Sequence, residues 1–243
     1  MEQIPAPVSY KFERIEKKFW MSASQYSALL PVLENHMTQD AYGTVPVCNI
    51  YYDTKDFQLI RRSIERPLFK EKLRLRSYGI PTENDTVFVE IKRKLNGIGY
   101  KRRISVPFSQ AKALLRGESI ECDSPQIERE LEEFVRRYHP QPVVYLMYRR
   151  FAMTDPDNPE LRVTFDSELR YRTENPDQPS AEGMQPFTED DSAVLMEIKA
   201  LDGIPLWLVS EMSRLGIRQA PFSKIGACYT RRIAPARTCE APA

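Results

Sequence analysis

The sequence predicts an α+β protein built on a closed eight-stranded antiparallel β-barrel with flanking helices. Eight segments, each bounded mostly by Pro, Gly, Asn or Asp, have the length and composition of strands. Within them Lys and Arg recur at every second residue, with carboxylates on the same phase. In Val87–Leu95, for example, Glu90, Lys92 and Lys94 project from one face while Val89 and Ile91 project from the other. Strands with one ionic and one apolar face fit a sheet closed around a polar lumen, with helices over its apolar exterior.

Taken in order, the first strand covers 11–20 and carries Arg14-x-Glu16-x-Lys18. A helix-like stretch follows over Ser22–Met37, which Pro31 should break or kink. Strand 46–53 leads into a helical Thr54–Arg62. Strands 69–78, 86–95 and 99–107 come next, the last two joined by a hairpin turn at Asn96-Gly97-Ile98-Gly99. A short helix over Ser109–Arg116 ends at Gly117. Ser124-Pro125 reads as an N-cap followed by Pro at the first helical position, and Ile127, Leu131, Phe134, Val135 and Tyr138 continue as an apolar stripe. Strands 143–153, 160–170 and 193–200 complete the set, with a polar, mobile loop expected over Asn175–Asp191 and a final helix over Pro205–Leu215. One domain is expected over 9–232, with frayed tails at 1–8 and 233–243.

Of the 243 residues, 42% are hydrophobic and 28% charged, enough apolar material for a core and too much for global disorder. The formal net charge is only +1, so any cationic interior is offset by acid elsewhere, as in Glu128–Glu133. Four cysteines without C-x-x-C spacing argue against a zinc site or disulfide framework and fit reduced thiols in the cytoplasm. No secretory signal is visible, and no stretch approaches the roughly 18 apolar residues of a membrane span. His36 and His139 are far apart and read as helix-end residues. Phosphate-binding glycine loops are missing. Nucleic acid is not the expected partner, because the cations alternate with apolar residues as if enclosed rather than lining a groove with exposed aromatics.

The residues expected to face inward are Arg14, Lys18, Arg74, Arg76, Lys92, Lys94, Lys101, Arg103, Arg150, Arg162, Lys199 and Lys224, against Glu16, Glu90, Asp166, Glu168 and Glu197. Any one of these strands could be a solvated sheet face, since exposed Lys/Glu pairs are common and weak. Together they give an excess of cations that would repel itself in a confined space without an anion, and a polyanion is the natural counter-charge. Arginine suits bidentate phosphate recognition, and carboxylates can complete the shell of a divalent cation already bound to phosphate.

In order along the chain, R-I-E-K-K-F, Y-Y-D, K-L-R-L-R-S-Y, F-V-E-I-K-R-K, Y-K-R-R, Y-R-R-F-A, R-V-T-F-D, M-E-I-K and F-S-K resemble the vacuolar transporter chaperone (VTC) domain. That domain is the polyphosphate polymerase branch of the triphosphate tunnel metalloenzymes (CYTH-like), and the resemblance spans roughly 9–232. It implies transfer of the ATP γ-phosphoryl group onto a growing polyphosphate chain, assisted by Mn²⁺ or Mg²⁺. By position it implies Lys18 on the first tunnel strand, Arg74 and Arg76 as paired phosphate ligands, and Lys92 and Lys101 on the following hairpin. Arg150 and Arg162 match further tunnel arginines, Lys224 a lysine near the tunnel end, and Glu197 the metal-binding glutamate.

Catalytic roles are therefore expected for Arg74, Arg76, Arg150, Arg162 and Lys224. Substrate contacts are expected from Arg14, Lys18, Lys92, Lys94, Lys101, Arg103 and Lys199, and metal contacts from Glu197 with Glu16 or Glu90. Arg14 stands where the hydrolytic relatives have the first glutamate of E-x-E-x-K, which favours the polymerase branch. A tunnel triphosphatase and a non-catalytic polyphosphate- or nucleotide-binding subunit of a membrane complex are the alternatives. The expected location is cytoplasmic, at the inner face of a membrane if a membrane protein is the partner.

Overall fold

The computed structural model describes residues 14–235 apart from 66, 97, 121 and 202. Ten strands and six α-helices are present among them. The strands are β1 (Arg14–Met21), β2 (Thr38–Gln39), β3 (Val45–Asp53), β4 (Phe69–Ser77), β5 (Thr86–Leu95), β6 (Ile98–Pro107), β7 (Gln141–Thr154), β8 (Arg162–Arg172), β9 (Gln185–Pro186) and β10 (Val194–Leu201). The helices are α1 (Ala23–Glu34), α2 (Gln58–Ile64), α3 (Phe108–Leu115), α4 (Pro125–Tyr138), α5 (Leu206–Arg214) and α6 (Lys224–Cys228), the last continuing into a π-helical turn, Tyr229–Ile233. All eight expected strands are present, and β2 and β9 are short additions. Of the frayed tails expected at 1–8 and 233–243, residues 1–8 and 236–243 lie outside the described residues, whereas 233–235 are helical, not frayed.

Hydrogen-bonded neighbours run β1-β10-β8-β7-β3-β4-β5-β6, with β2 on β7 and β9 on β8. Among the described residues this path ends at β1 and β6, with no pairing between them. The closed barrel expected from the sequence is thus a large antiparallel sheet here. Alternation of ionic and apolar residues determines which face each strand presents; it does not determine whether two terminal strands meet.

The chain forms two compact units. One takes in the chain up to Gly43, Phe151–Phe165 and Ala193–Pro221; the other takes in Thr44–Arg150, Asp166–Ser192 and the chain from Phe222. In the first, β1 pairs with β10, and α1 and α5 enclose a core of Phe19, Leu29, Leu33, Phe165, Met196, Ile198 and Leu208. Helix α1 runs through Pro31 instead of breaking there. A capping box at Ser22 and Gln25 starts it, and the wholly buried Leu29 and Leu33 anchor it on either side of an exposed proline.

In the second unit, one face of β4, β5 and β6 carries Leu73, Leu75, Val89, Ile91, Ile104 and Val106 against α3 and α4. The α4 stripe expected from the sequence packs here through Leu131, Phe134, Val135 and Tyr138. His139 caps α4 in a left-handed conformation, and His36 sits just beyond α1 with its ring stacked on Trp207, so both histidines are at helix ends. The Asn175–Asp191 loop is folded, not loose: the Arg172 guanidinium donates to Ser180 Oγ at 2.9 Å, to the Glu182 carbonyl at 2.6 Å and to the carbonyls of Asn175 and Gln178. Polar composition at 175–191 hid this arrangement because its organiser lies on β8.

Candidate functional site: a cationic sheet face

The second unit presents the other face of β4–β6 as rows of charge. Register places Lys70 opposite Lys94, Lys72 opposite Lys92 and Arg74 opposite Glu90. On the far side of β5, Lys92 faces Lys101 and Glu90 faces Arg103. Eight cations (Lys70, Lys72, Arg74, Arg76, Lys92, Lys94, Lys101 and Arg103) thus share this face with one carboxylate, Glu90. Like charges directly opposite one another destabilise a sheet, so a Lys72–Lys92–Lys101 row is costly unless anions lie against it.

Glu90 is buried at 1% exposure and gives one oxygen to each of two cations: Arg74 Nε at 2.6 Å and Lys101 Nζ at 2.5 Å. Burial alone would raise its pKa, but Arg74, Arg76 and Lys101 outweigh that and hold it at about 2. Burial likewise works against the charge of Arg74, yet Tyr51, Glu90 and Tyr148 keep its pKa above the ordinary value. Lys101 moves the other way, lowered by burial and by Arg74 and Arg103 despite the pull of Glu90. Both oxygens of Glu90 neutralise cations, so in this structure it is the counter-ion that fixes Arg74 and Lys101.

Arg76 is buried, yet its described hydrogen bonds go to neutral groups, Asn49 Oδ1 at 3.1 Å and the Tyr148 hydroxyl at 3.4 Å. Arg150 grips Asp166 with both ends of its guanidinium, at 2.6 and 2.8 Å, and Lys224 reaches the same carboxylate at 2.6 Å. Burial would raise the Asp166 pKa; Lys224 and Arg150 prevail and lower it. Both cations also lie over the Tyr148 ring. Lys224 opens α6, whose N-cap Ser223 accepts a hydrogen bond from Lys72 Nζ at 2.9 Å. The structure thereby assembles Arg74, Arg76, Lys101, Arg150 and Lys224 with two buried carboxylates.

Asn49, Tyr51, Tyr148 and Ser223 belong to this cluster, and sequence reasoning did not find them. Strand phase would have found three of them: Asn49 and Tyr51 alternate with Asp53, and Tyr148 shares its phase with Arg150. Burial would raise the Tyr51 phenol, but Arg74, Lys224 and Lys72 lower it below its usual value. Lys92, Lys94 and Arg103 are exposed, Arg103 lying over the Phe88 ring. Glu168, expected to face inward, is exposed; its left-handed φ of 52° turns it out of the strand phase, 3.9 Å from Arg149.

In the first unit, register pairs Lys18 with Glu197 and Glu16 with Lys199. Lys18 Nζ lies 3.4 Å from both Glu16 and Glu197, and Lys199 Nζ lies 3.1 Å from the other oxygen of Glu197. Arg162 is half exposed and donates to Asp40 at 3.0 Å. The side chain of Arg14 lies outside the described residues. No group of three or more His, Cys, Asp or Glu suited to a metal ion occurs among the described residues. Glu16 and Glu197 form a two-carboxylate donor set, which fits a hard divalent cation that brings phosphate oxygens as its remaining ligands.

The VTC domain model matches residues 13–231. Subunit 4 of the vacuolar transporter chaperone complex of Trypanosoma cruzi is 25% identical over 214 residues, covering 69% of this chain and 26% of that protein. This chain therefore spans about a quarter of the relative's length. Among solved structures, a candidate adenylate cyclase of Bacillus halodurans superposes with a TM-score of 0.52 at 16% identity, covering 86% of this chain and 93% of that one. That likeness concerns the fold alone. No helix among the described residues is long and apolar enough to cross a membrane. With the domain model covering nearly the whole sequence, the chain belongs to the VTC domain family.

Proposed function

We propose that this chain is a metal-dependent polyphosphate polymerase, transferring the γ-phosphoryl group of ATP to the end of an inorganic polyphosphate chain. The observation that carries the reading is the face of β4–β6, where eight cations accompany one carboxylate and the buried Arg76 has neutral partners. Family membership supports it. Arg74 and Arg76 bind oxygens of the transferring group, and Arg150 and Lys224 hold a neighbouring phosphate. Arg162, Arg14, Lys18, Lys92, Lys94, Lys101, Arg103 and Lys199 neutralise the rest of the polyanion.

Phosphoryl transfer asks little covalent chemistry of a protein, so alignment and charge stabilisation dominate. Glu90 and Asp166 contribute by holding their cations in position before substrate arrives, which removes the cost of reorganising them during reaction. The attacking terminal phosphate oxygen is already anionic and needs no general base. Mn²⁺ or Mg²⁺, held by Glu16 and Glu197, would neutralise charge on phosphate oxygens. Partners in this reading are ATP, polyphosphate and a membrane protein, at the cytoplasmic side of a membrane.

The test is ATP with Mn²⁺ and a short polyphosphate primer, resolved by gel electrophoresis. Lengthening of the primer is the expected result. Release of ADP and orthophosphate without lengthening would make the chain a triphosphatase, and retention of unchanged nucleotide or polyphosphate would leave a binding subunit; either outcome ends the polymerase reading.

A further inference from the structure

The described residues expose eleven large apolar side chains, and five of them gather at one end of β4–β6. Leu68 is 74% exposed and Ile98 61%, with Phe69, Leu95 and Tyr100 between 45% and 51%. Register makes this a continuous patch: Phe69 faces Leu95, Leu95 faces Ile98, and Tyr100 follows two residues along β6. The Asn96 amide donates to the Leu68 carbonyl at 2.7 Å, tying the turn to the start of β4. Further along the same face Leu73 and Ile91 are wholly buried, so the patch is the uncovered end of an otherwise packed surface. The opposite face of this end carries Lys70 opposite Lys94 and, one row in, Lys92 opposite Lys101. The acids nearest the patch across the sheet and from α4, Glu71 and Glu130, are engaged by Arg93.

We propose that this end of β4–β6 is a membrane-surface contact, its apolar residues entering the headgroup boundary of a bilayer and its lysines meeting anionic lipid. The inference goes beyond the polymerase reading and does not depend on it. Clustered apolar residues at a strand end mark an interaction site, and apolar side chains flanked by lysine are the combination that binds anionic interfaces. A second copy of the chain is the poorer occupant, because pairing two such ends would bring two lysine-rich faces against each other. Soluble polyphosphate would satisfy the lysines alone and leave the five apolar residues in water.

The experiment is co-sedimentation of the full chain with vesicles of phosphatidylcholine, with and without phosphatidylserine. Wild type should pellet with the phosphatidylserine vesicles and be released as salt rises. The double variant Leu95→Ser/Ile98→Ser should bind at least about tenfold more weakly while keeping its circular dichroism, since both side chains are half exposed or more. Lys70→Glu should weaken attachment by about fivefold or more. Failure of wild type to prefer phosphatidylserine vesicles, or undiminished binding by the double variant, would overturn the proposal. A dimer that dissociates on Leu95→Ser/Ile98→Ser, with no vesicle binding by wild type, would assign the patch to a second copy and overturn it equally.

Discussion

Tyr138 donates its hydroxyl hydrogen to Glu71 Oε2 at 2.8 Å, joining the end of α4 to the first part of β4. The other oxygen of Glu71 accepts from Arg93 Nε at 2.7 Å, and Arg93 also reaches Glu130 on α4 at 2.7 Å. The ion network thus ties α4 to the sheet beside the apolar core. Glu71→Gln keeps the shape but removes the buried charge, and should cost on the order of 2 kcal/mol. Glu130→Gln, at a more exposed position, should cost less. Urea denaturation of both variants checks the order, and equal midpoints for Glu71→Gln and wild type would show that the network does not hold α4.

Glu90 supplies a pH prediction. Its folded pKa of about 2 lies below the ordinary value of 4.5, so the folded state favours the ionised form. The resulting stabilisation is fully present above pH 4.5 and is lost as pH falls towards 2. Its size is on the order of 3 kcal/mol. In Glu90→Gln this part of the acid dependence should vanish, while Arg74 and Lys101, left without their shared carboxylate, should lower stability at neutral pH. Denaturation curves from pH 6 to 2 test both statements; parallel pH profiles for variant and wild type would refute the assignment.

Arg74→Ala and Arg76→Ala should each remove on the order of 2–4 kcal/mol of transition-state stabilisation if the two guanidiniums clamp the transferring phosphoryl group. The two differ in the ground state. Arg74→Ala strips Glu90 of a partner and should also reduce stability, whereas Arg76→Ala vacates neutral partners and should affect catalysis more than folding. The double variant should lose less activity than the sum of the singles, because both would serve one phosphate cluster. Initial rates with thermal melts separate these effects, and wild-type turnover in a folded double variant would exclude this face from catalysis.

Glu197→Gln should abolish most Mn²⁺- or Mg²⁺-dependent activity and preserve polyphosphate affinity. Its carboxylate faces Lys18 and Lys199, so neutralising it removes a hard-cation ligand and makes the surroundings more positive. Metal titration of the rate, beside equilibrium binding of polyphosphate, distinguishes the two consequences. Unchanged activity at limiting metal would remove Glu197 from the metal site.

The strands were legible because alternation is a local signal: Lys72, Arg74 and Arg76 announce one face, Leu73 and Leu75 the other. Helix α4 was legible for the same reason, through Leu131, Phe134 and Tyr138. What the sequence withheld depends on partners far along the chain. Nothing near Glu90 says that Arg74 and Lys101 will occupy both its oxygens, and nothing within 175–191 says that Arg172 will gather the loop. Pro31 misled for a related reason, since its local cost was outweighed by the burial of Leu29 and Leu33.

The Lys72–Lys92–Lys101 row places one ammonium on each of three neighbouring strands, which lie about 4.8 Å apart. A lysine is a point charge on a flexible stem and prescribes no angle of approach, whereas an arginine fork selects a geometry. The three ammoniums differ in their surroundings, since Lys72 donates to Ser223 and Lys101 is held by Glu90, so under the proposed function a polyanion would meet a graded row beside the Arg74 and Arg76 forks. In the proposed polymerase such a row would let a repetitive chain shift along it, while the arginine forks set where a unit stops.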